Sequence, residues 1–137
     1  SATRDSTWEE QSVPPCPNCF LSQIDFASER RGVTCGYRWA TSLCDREPFC
    51  FFTNDGGATW SESRLRADLD GLRITTLVMS ANGSGALATA DDRDCGDAET
   101  TRGVLLQSTD GGSTWRLSDP PIDGPFRATA VVRAAAR

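Results

Sequence analysis

The chain has 137 residues, which is room for about one domain with a single modest core. Its net charge of -5 and its pI of about 4.6 argue against nucleic acid as a main partner, because duplex-binding proteins normally carry a basic surface. No apolar stretch approaches the roughly 18 residues of a transmembrane helix, so no membrane span is expected.

The first 20 residues end in a cysteine pair, Cys16-Pro17-Asn18-Cys19. A C-x-x-C with an internal proline can be a thioredoxin-like redox site or half of a zinc site. Pro14 and Pro15 before it favour an extended loop, no βαβ pattern surrounds it, and a second C-x-x-C is lacking. We therefore predict that this pair forms a disulfide that staples a long loop.

Four short strands are predicted next, from their apolar and β-rich composition. They are Gln23–Ala27, Gly32–Tyr37, Phe49–Thr53 and Thr59–Leu65.

The third of these strands runs into the phrase Thr53-Asn54-Asp55-Gly56-Gly57-Ala58-Thr59-Trp60. The carboxylate of Asp55 can accept hydrogen bonds from backbone amides just ahead of it, and the glycines can adopt the positive φ angles of a tight turn. Thr59 and Trp60 then start a new strand with one large aromatic anchor. The phrase predicts a hairpin turn with its own internal staple.

The same order of elements recurs in the second half of the chain. The phrase returns as Ser108 to Trp115, and a version shortened by two turn residues ends at Trp8. A last β-like run, Arg127–Val132, matches the first strand of a further unit. The second set of predicted strands is Ile74–Ser80, Gly85–Ala90, Val104–Ser108 and Thr114–Leu117.

A repeated four-stranded unit of about 50 residues is typical of a β-propeller blade. We predict an all-β fold of antiparallel four-stranded blades, about two full blades plus a partial one. The expected single domain comprises a partial blade at about 1–20, blades at about 21–66 and 72–118, and a trailing strand at about 125–133.

The number of units leaves three interpretations open, because a blade cannot bury both of its faces alone. The chain is an excerpt of a longer propeller, or several copies form a ring, or two units make a small fold. We favour an excerpt or a small stand-alone piece, because a ring would leave the partial blade without its two middle strands.

The two phrases resemble the Asp-box, or BNR repeat, of sialidases, sortilin-type ectodomains and several glycoside hydrolases. The whole unit is similar to the repeats of photosystem II stability/assembly factor-like propellers. There an I-x-F strand, a glycine-bounded strand and an apolar strand lead into DGG-x-TW. Here these elements are Ile24-Asp25-Phe26, Gly32 to Gly36, and Phe51 through Trp60, and the second unit departs with Thr89 in place of the second glycine.

The resemblance implies that the box residues determine the fold and lie at the blade periphery, away from the pocket where ligands bind. The residues that it assigns to this structural role are Thr53, Asp55, Gly56, Gly57, Thr59, Trp60, Ser108, Asp110, Gly111, Gly112, Thr114 and Trp115.

No catalytic residue is assigned. The sialidase family adds a Phe-Arg-Ile-Pro segment, whereas Arg73-Ile74 follows Leu72 and precedes Thr75. Tyr37 is the only tyrosine and has no companion motif of the nucleophile pair. The chain has no His for a triad and no Gly-rich phosphate loop, so we expect neither an enzyme nor a cofactor.

Six cysteines without any His favour disulfides over zinc, and an oxidising compartment. We therefore predict a secreted or periplasmic protein. One pair would join neighbouring strands of one blade, one would join equivalent loops of successive units, and one remains. This scheme, with Cys35–Cys50, Cys44–Cys95 and Cys16–Cys19, is one of the fifteen connectivities that six cysteines allow, and the pairing stays open at this point.

The segment Asp91 to Glu99 is rich in carboxylates, and oxygen-rich loops can hold calcium. Its candidate ligands are Asp92, Asp94 and Asp97. Their spacing fits no EF-hand and Arg93 lies among them, so we interpret the segment as a solvated acidic loop and assign no metal.

Together these features favour a secreted, disulfide-stapled binding or assembly module for protein or glycan, which is not an enzyme. This rests on the resemblance, since a fold alone does not imply a function. The alternatives are a fragment of a glycoside hydrolase, sialidase-like or another exo-glycosidase propeller, and a structural subunit that completes its propeller by self-association.

Overall fold

The computed structural model describes residues 16, 18–39, 45–66, 68–92, 102–118 and 122–125. Every regular element in these ranges is a β-strand, and the strands form two largely antiparallel sheets. The prediction of an all-β fold with antiparallel, four-stranded blades is confirmed. None of the described residues forms a helix long and apolar enough to cross a membrane.

The first sheet has its strands in sequence order and pairs them antiparallel. Its first and third strands begin earlier than predicted, because both ladders extend to the end of the second strand, where Cys19 lies opposite Arg38 and Arg46 lies opposite Trp39. The strands are β1 (Cys19–Phe26), β2 (Gly32–Trp39), β3 (Arg46–Thr53) and β4 (Ser61–Glu62).

The second sheet contains the second unit and two further short strands. Four strands lie within two residues of their predicted bounds: β6 (Arg73–Met79), β7 (Ala86–Asp91), β8 (Arg102–Ser108) and β9 (Thr114–Leu117). The additions are β5 (Arg64–Arg66), which pairs with β9, and β10 (Asp123–Pro125), which pairs with β8.

The single strand predicted over Thr59–Leu65 is wrong, because this segment divides between the two sheets. The amide of Ser63 donates to the Cys50 carbonyl of the first sheet at 2.8 Å, whereas the next amide, that of Arg64, donates to Ser113 at 2.9 Å. Strand β5 consequently pairs in parallel with β9. The first unit thus supplies a strand to the edge of the second.

The two sheets share one hydrophobic core. Strand β6 packs against β1, β2 and β3, and the Asp25 carboxylate accepts a 2.7 Å hydrogen bond from the Met79 amide. A smaller cluster of Phe49, Phe51 and Trp60 belongs to the first sheet alone. The buried residues of the shared core are Val33, Cys35, Cys50, Leu69, Leu72, Ile74, Met79, Ala86, Ala88, Ala90, Val104, Leu106 and Trp115.

The partial blade predicted at about 1–20 and the trailing strand at about 125–133 lie almost wholly outside the described residues. Near the second of these segments, β10 places Asp123 opposite Val104 of β8. The division of the chain into these units therefore stays a prediction.

Candidate functional site

The first box turn is held by hydrogen bonds within its own sequence. The Asp55 carboxylate accepts from the Thr59 amide at 2.9 Å and from the Thr59 hydroxyl through its other oxygen. The Thr53 hydroxyl donates to Asp55 at 2.7 Å and accepts from the Gly57 amide at 3.0 Å. These are the contacts that an internally stapled turn requires, and they engage both carboxylate oxygens.

The second box turn repeats this pattern with serine in the first position. Asp110 accepts from the Thr114 amide at 2.9 Å and from the Thr114 hydroxyl at 2.6 Å. The Ser108 hydroxyl donates to Asp110 at 2.8 Å and accepts from the Gly112 amide at 2.9 Å. The Trp115 indole donates to the Gly112 carbonyl at 3.0 Å, which fixes the aromatic anchor to the turn.

Hydrogen bonds also determine the protonation of the two carboxyls. Those from the Thr59 hydroxyl and amide, followed by Thr53, lower the pKa of Asp55 from 3.8 to about 2. At Asp110, burial acts to raise the pKa, but the hydrogen bonds from Thr114 and Ser108 outweigh it and lower the pKa below its ordinary value. Both carboxyls are therefore ionised acceptors at neutral pH.

Each box turn is also anchored to the hairpin tip of its own unit. The Gly56 amide donates to the Arg30 carbonyl at 2.9 Å, and the Gly111 amide donates to the Ser84 carbonyl at the same distance. Both glycines have positive φ, +74° and +76°, which an L-residue adopts only at a cost.

The second box turn additionally contacts the first unit. A Cβ added to Gly112 would lie 2.4 Å from Cγ2 of Val33, so the turn approaches the first sheet as closely as a glycine allows. The buried hydroxyl of Ser63 donates to the Gly112 carbonyl. This turn is therefore part of the interface between the sheets.

Two disulfides lie in the described part of the chain. Cys35 and Cys50 are directly opposite in β2 and β3 and form one of them, and Cys16 and Cys19 form the other. The presence of disulfides is thus confirmed. Cys44 and Cys95, the third predicted pair, lie outside the described residues.

The candidate calcium ligands Asp94 and Asp97 also lie outside the described residues. The third, Asp92, is described, and its carboxylate accepts from the Arg102 amide at 2.7 Å. Among the described residues no group of three or more acidic, Cys or His side chains is placed to hold a metal ion.

One concave surface in the described region, which we call the groove, lies between β3 and the segment that leads into β6. It consists of two adjoining clefts of about 380 and 230 Å³, which share Arg38, Glu47 and Asp70. The first cleft is also lined by Trp39, Asp45, Arg46 and Gly71. The second is also lined by Pro48, Phe49, Glu62, Ser63, Leu65 and Leu69.

Two hydrogen bonds between Arg46 and Gly71 hold the two walls of the groove together. The Gly71 amide donates to the Arg46 carbonyl at 2.6 Å, and the Arg46 Nε donates back to the Gly71 carbonyl at 3.1 Å. Gly71 has a φ of +84°, which suits it to this tight turn. These two bonds tie the start of β3 to the turn before β6, on either side of the first cleft.

Arg38 lies in the groove between two carboxylates. It donates to Glu47 at 2.8 Å and to Glu62 at 3.1 Å, and its guanidinium lies 5.5 Å from the centre of the Phe49 ring. Burial alone would lower the pKa of Arg38, but the hydrogen bonds to Glu47 and Glu62 outweigh it and raise the pKa. The side chains of Glu47 and Glu62 remain about half exposed, at 50% and 49%.

An aromatic stack adjoins the groove. The ring of Phe20 stacks on Trp39 with 4.4 Å between centroids and on Tyr37 with 5.7 Å. Phe20 is 46% exposed although it is large and apolar. The Arg46 guanidinium lies 5.7 Å from the centre of the Tyr37 ring. The stack thus places a half-exposed aromatic surface next to a charged cleft.

No protein-family model and no curated protein matches the chain. Among solved structures, it is similar to "YCF48 bound to D1 peptide", with 18% sequence identity over 80% of this chain and a TM-score of 0.49. The chain spans 30% of the length of that structure. A likeness of this size leaves the function to be argued from the geometry of the chain itself.

The sequence did not predict the groove, because its residues come from the ends of β2 and β3 and from the connection between the units. None of them belongs to the repeated phrase. The one local signal is Tyr37-Arg38-Trp39. Side chains alternate along a strand, so the two aromatic residues lie on one face and the arginine on the other.

Proposed function

We propose that this chain is a secreted, non-enzymatic binding or assembly module of Asp-box propeller repeats that recognises a protein or glycan at the groove. The observation that carries the proposal is the groove with the stack of Trp39 and the half-exposed Phe20 beside it. Ligand sites are typically concave, with aromatic surface and a few polar groups that fix orientation. Aromatic and arginine side chains also dominate the energetics of protein interfaces.

The state of the box carboxyls supports a structural role for Asp55 and Asp110. A general acid at neutral pH needs a pKa near the working pH, whereas the hydrogen bonds of the turn lower the pKa of Asp55 to about 2. All four carboxylate oxygens accept hydrogen bonds within their own turns. We therefore assign the box turns to stabilising the fold and the groove to binding the ligand.

The disulfides support the extracytoplasmic part of the proposal. Cys35–Cys50 and Cys16–Cys19 are both formed, and such bonds persist in oxidising compartments such as the periplasm or the cell exterior.

A binding screen tests the proposal. The protein would be incubated with an array of glycans and peptides, alongside two variants. Trp39→Ala removes one ring of the aromatic stack, and Leu87→Ala is the control. Leu87 is a 36% exposed apolar residue of β7, outside the groove. We expect Trp39→Ala to lose the bound ligands and Leu87→Ala to retain them, with circular dichroism confirming that both are folded.

Two outcomes would favour the rival functions. Release of reducing sugar from a bound glycan would identify a glycoside hydrolase fragment instead of a binding module. Light scattering that gave a multiple of the 14.8 kDa chain mass would favour a subunit that completes its propeller by self-association. Equal retention of ligands by Trp39→Ala and Leu87→Ala would place binding outside the groove.

A further inference from the structure

We propose that the groove takes a cationic segment of a protein partner, with a Lys or Arg side chain of the partner bound where Trp39, Asp45 and Asp70 line the first cleft. This inference rests on the proposed binding function and names the ligand class of the same groove. It commits to a basic peptide and not to a glycan.

The groove offers two neighbouring clefts to an extended chain. The clefts adjoin at Arg38, Glu47 and Asp70, which line both of them. Phe49 and Leu69 at the second cleft are only 1% and 5% exposed, and Arg38 lies over the Phe49 ring. A peptide can place one side chain in the first cleft and contact the charged residues of the second cleft with its neighbour.

The charges that line the groove favour a cation. Four carboxylates, those of Asp45, Glu47, Glu62 and Asp70, stand against two guanidinium groups. The whole chain carries a net charge of -5, which adds a long-range attraction for a basic partner. An acidic glycan or a phosphate would be repelled, and a neutral glycan would gain nothing from the excess negative charge.

The two arginines of the groove show which contacts a guanidinium makes there. Arg38 lies over the Phe49 ring and bonds Glu47 and Glu62 through one oxygen of each. Arg46 lies over the Tyr37 ring and donates to the Gly71 carbonyl. Both arginines thus combine an aromatic face with a hydrogen-bond acceptor, and the lining of the first cleft includes both kinds of group in Trp39 and Asp70.

The contact with Trp39 follows the chemistry of cation–π pairs, in which arginine or lysine binds best over an indole face. One face of Trp39 is stacked on Phe20 with the planes 16° apart. This support holds the indole in place, so that little side-chain entropy is lost when a ligand binds.

A titration with two peptides of opposite charge tests the inference. The probes are a fluorescein-labelled peptide of alternating Arg and Gly, and the same peptide with Glu in place of Arg. Fluorescence anisotropy would be measured at about 0.05 M and about 0.3 M salt, because exposed charges are screened at the higher value. We expect the Arg peptide to bind, more weakly at high salt, and the Glu peptide not to bind.

Charge variants distinguish the groove from general attraction. Asp70→Asn and Asp45→Asn should each weaken the Arg peptide about threefold, the size of one exposed ion pair. Trp39→Ala should weaken it about threefold to tenfold through loss of the cation–π contact. The matched control is Glu29→Gln, which removes one negative charge at the exposed tip between β1 and β2, and it should bind as the wild type does.

Equal weakening by Asp70→Asn and Glu29→Gln would overturn the inference, because it would mean attraction to the whole acidic surface. In another outcome the Arg peptide does not bind, but a neutral oligosaccharide binds to the wild type and not to Trp39→Ala. That result would refute the cationic ligand and leave the proposed function standing. If neither the Arg peptide nor the oligosaccharide binds, both the cationic ligand and the groove as a binding site are refuted. Near-ultraviolet circular dichroism of each variant checks that its fold is intact.

Discussion

The carboxylates of Asp55 and Asp110 perform the same task in two turns that lie in different sheets. Each accepts from the amide and the hydroxyl of the threonine four positions later. The pattern depends on residues within one short phrase, so it is reproduced wherever the phrase occurs. What differs between the turns is their surroundings, because Gly112 of the second turn contacts Val33 of the other sheet.

The first prediction compares two neighbouring glycines of the second turn. Gly111→Ala should cost about 1–2 kcal/mol of unfolding free energy, because its φ of +76° is unfavourable for an L-residue. Gly112→Ala should cost about 1–3 kcal/mol more, because its φ is +92° and its new Cβ would overlap Val33. Urea denaturation followed by Trp fluorescence measures both. Equal losses would contradict the close approach of this turn to the first sheet.

The second prediction concerns acid stability. The folded pKa of Asp55 is about 2, below the ordinary 3.8, so its ionised form stabilises the turn fully above about pH 5. This contribution is lost as the pH falls through the folded pKa. The difference in unfolding free energy between the wild type and Asp55→Asn should be constant above about pH 5 and shrink towards pH 2. Urea melts across this range measure it.

Asp110→Asn should show the same trend, because the folded pKa of Asp110 is also lowered. The reference is Glu29→Gln, an exposed carboxyl outside both turns. If the difference in unfolding free energy between the wild type and Asp55→Asn grew as the pH fell, it would contradict the lowered pKa of Asp55 in the folded state.

At the scale of strands, the connection between the units is shared by both sheets. Strand β4 remains in the first sheet, and β5, one residue later, pairs with β9 of the second. Within the first sheet, the disulfide joins directly opposite positions of β2 and β3. A bond at one register position excludes every other alignment of these two strands.

The third prediction compares the two disulfides. In the chain-entropy model, a disulfide that closes a loop of 15 residues, as Cys35–Cys50 does, raises the free energy of unfolding by about 3 kcal/mol. One that closes a loop of 3 residues, as Cys16–Cys19 does, raises it by about 1.5 kcal/mol. Removing Cys35 and Cys50 together by alanine substitution should therefore destabilise the fold more than the same change at Cys16 and Cys19. Burial of Cys35 and Cys50 in the shared core adds to this difference. Thermal and urea melts of the two double variants test it, and equal losses would count against it.

For the whole molecule, the shared core joins the sheets into one structure. Val33 of β2 and Trp115 of β9 belong to the same buried cluster, and the Asp25 carboxylate bonds the Met79 amide across the sheets. Neither sheet can separate without exposing the apolar face of the other.

The fourth prediction is that the two sheets unfold together. Hydrogen exchange should give the amides of β2 and β7 similar opening free energies, because global unfolding exposes both. Val33→Ala, in the first sheet, should lower protection in β7 as much as in β2. Ile24→Ala, at a position that is 61% exposed, should lower neither. Two separate classes of protection would show that the sheets are independent.

Features that depend on one unit were predictable from the sequence. Strands β6 to β9 lie close to their predicted bounds, and both box phrases form stapled turns. The Cys35–Cys50 pair could be proposed because neighbouring strands in a hairpin lie side by side. In each case the partners are close in sequence, so local geometry constrains them.

The sequence by itself determined the strands, the turns and the repeat, because these follow from backbone preferences and from hydrogen bonds over a few residues. Only the tertiary structure decided that the segment after Trp60 divides between two sheets and that a groove forms beside it. The groove unites the ends of β2 and β3 with Asp70 of the connection. That meeting depends on how the two sheets pack through their shared core, a long-range arrangement that no single stretch of the chain encodes.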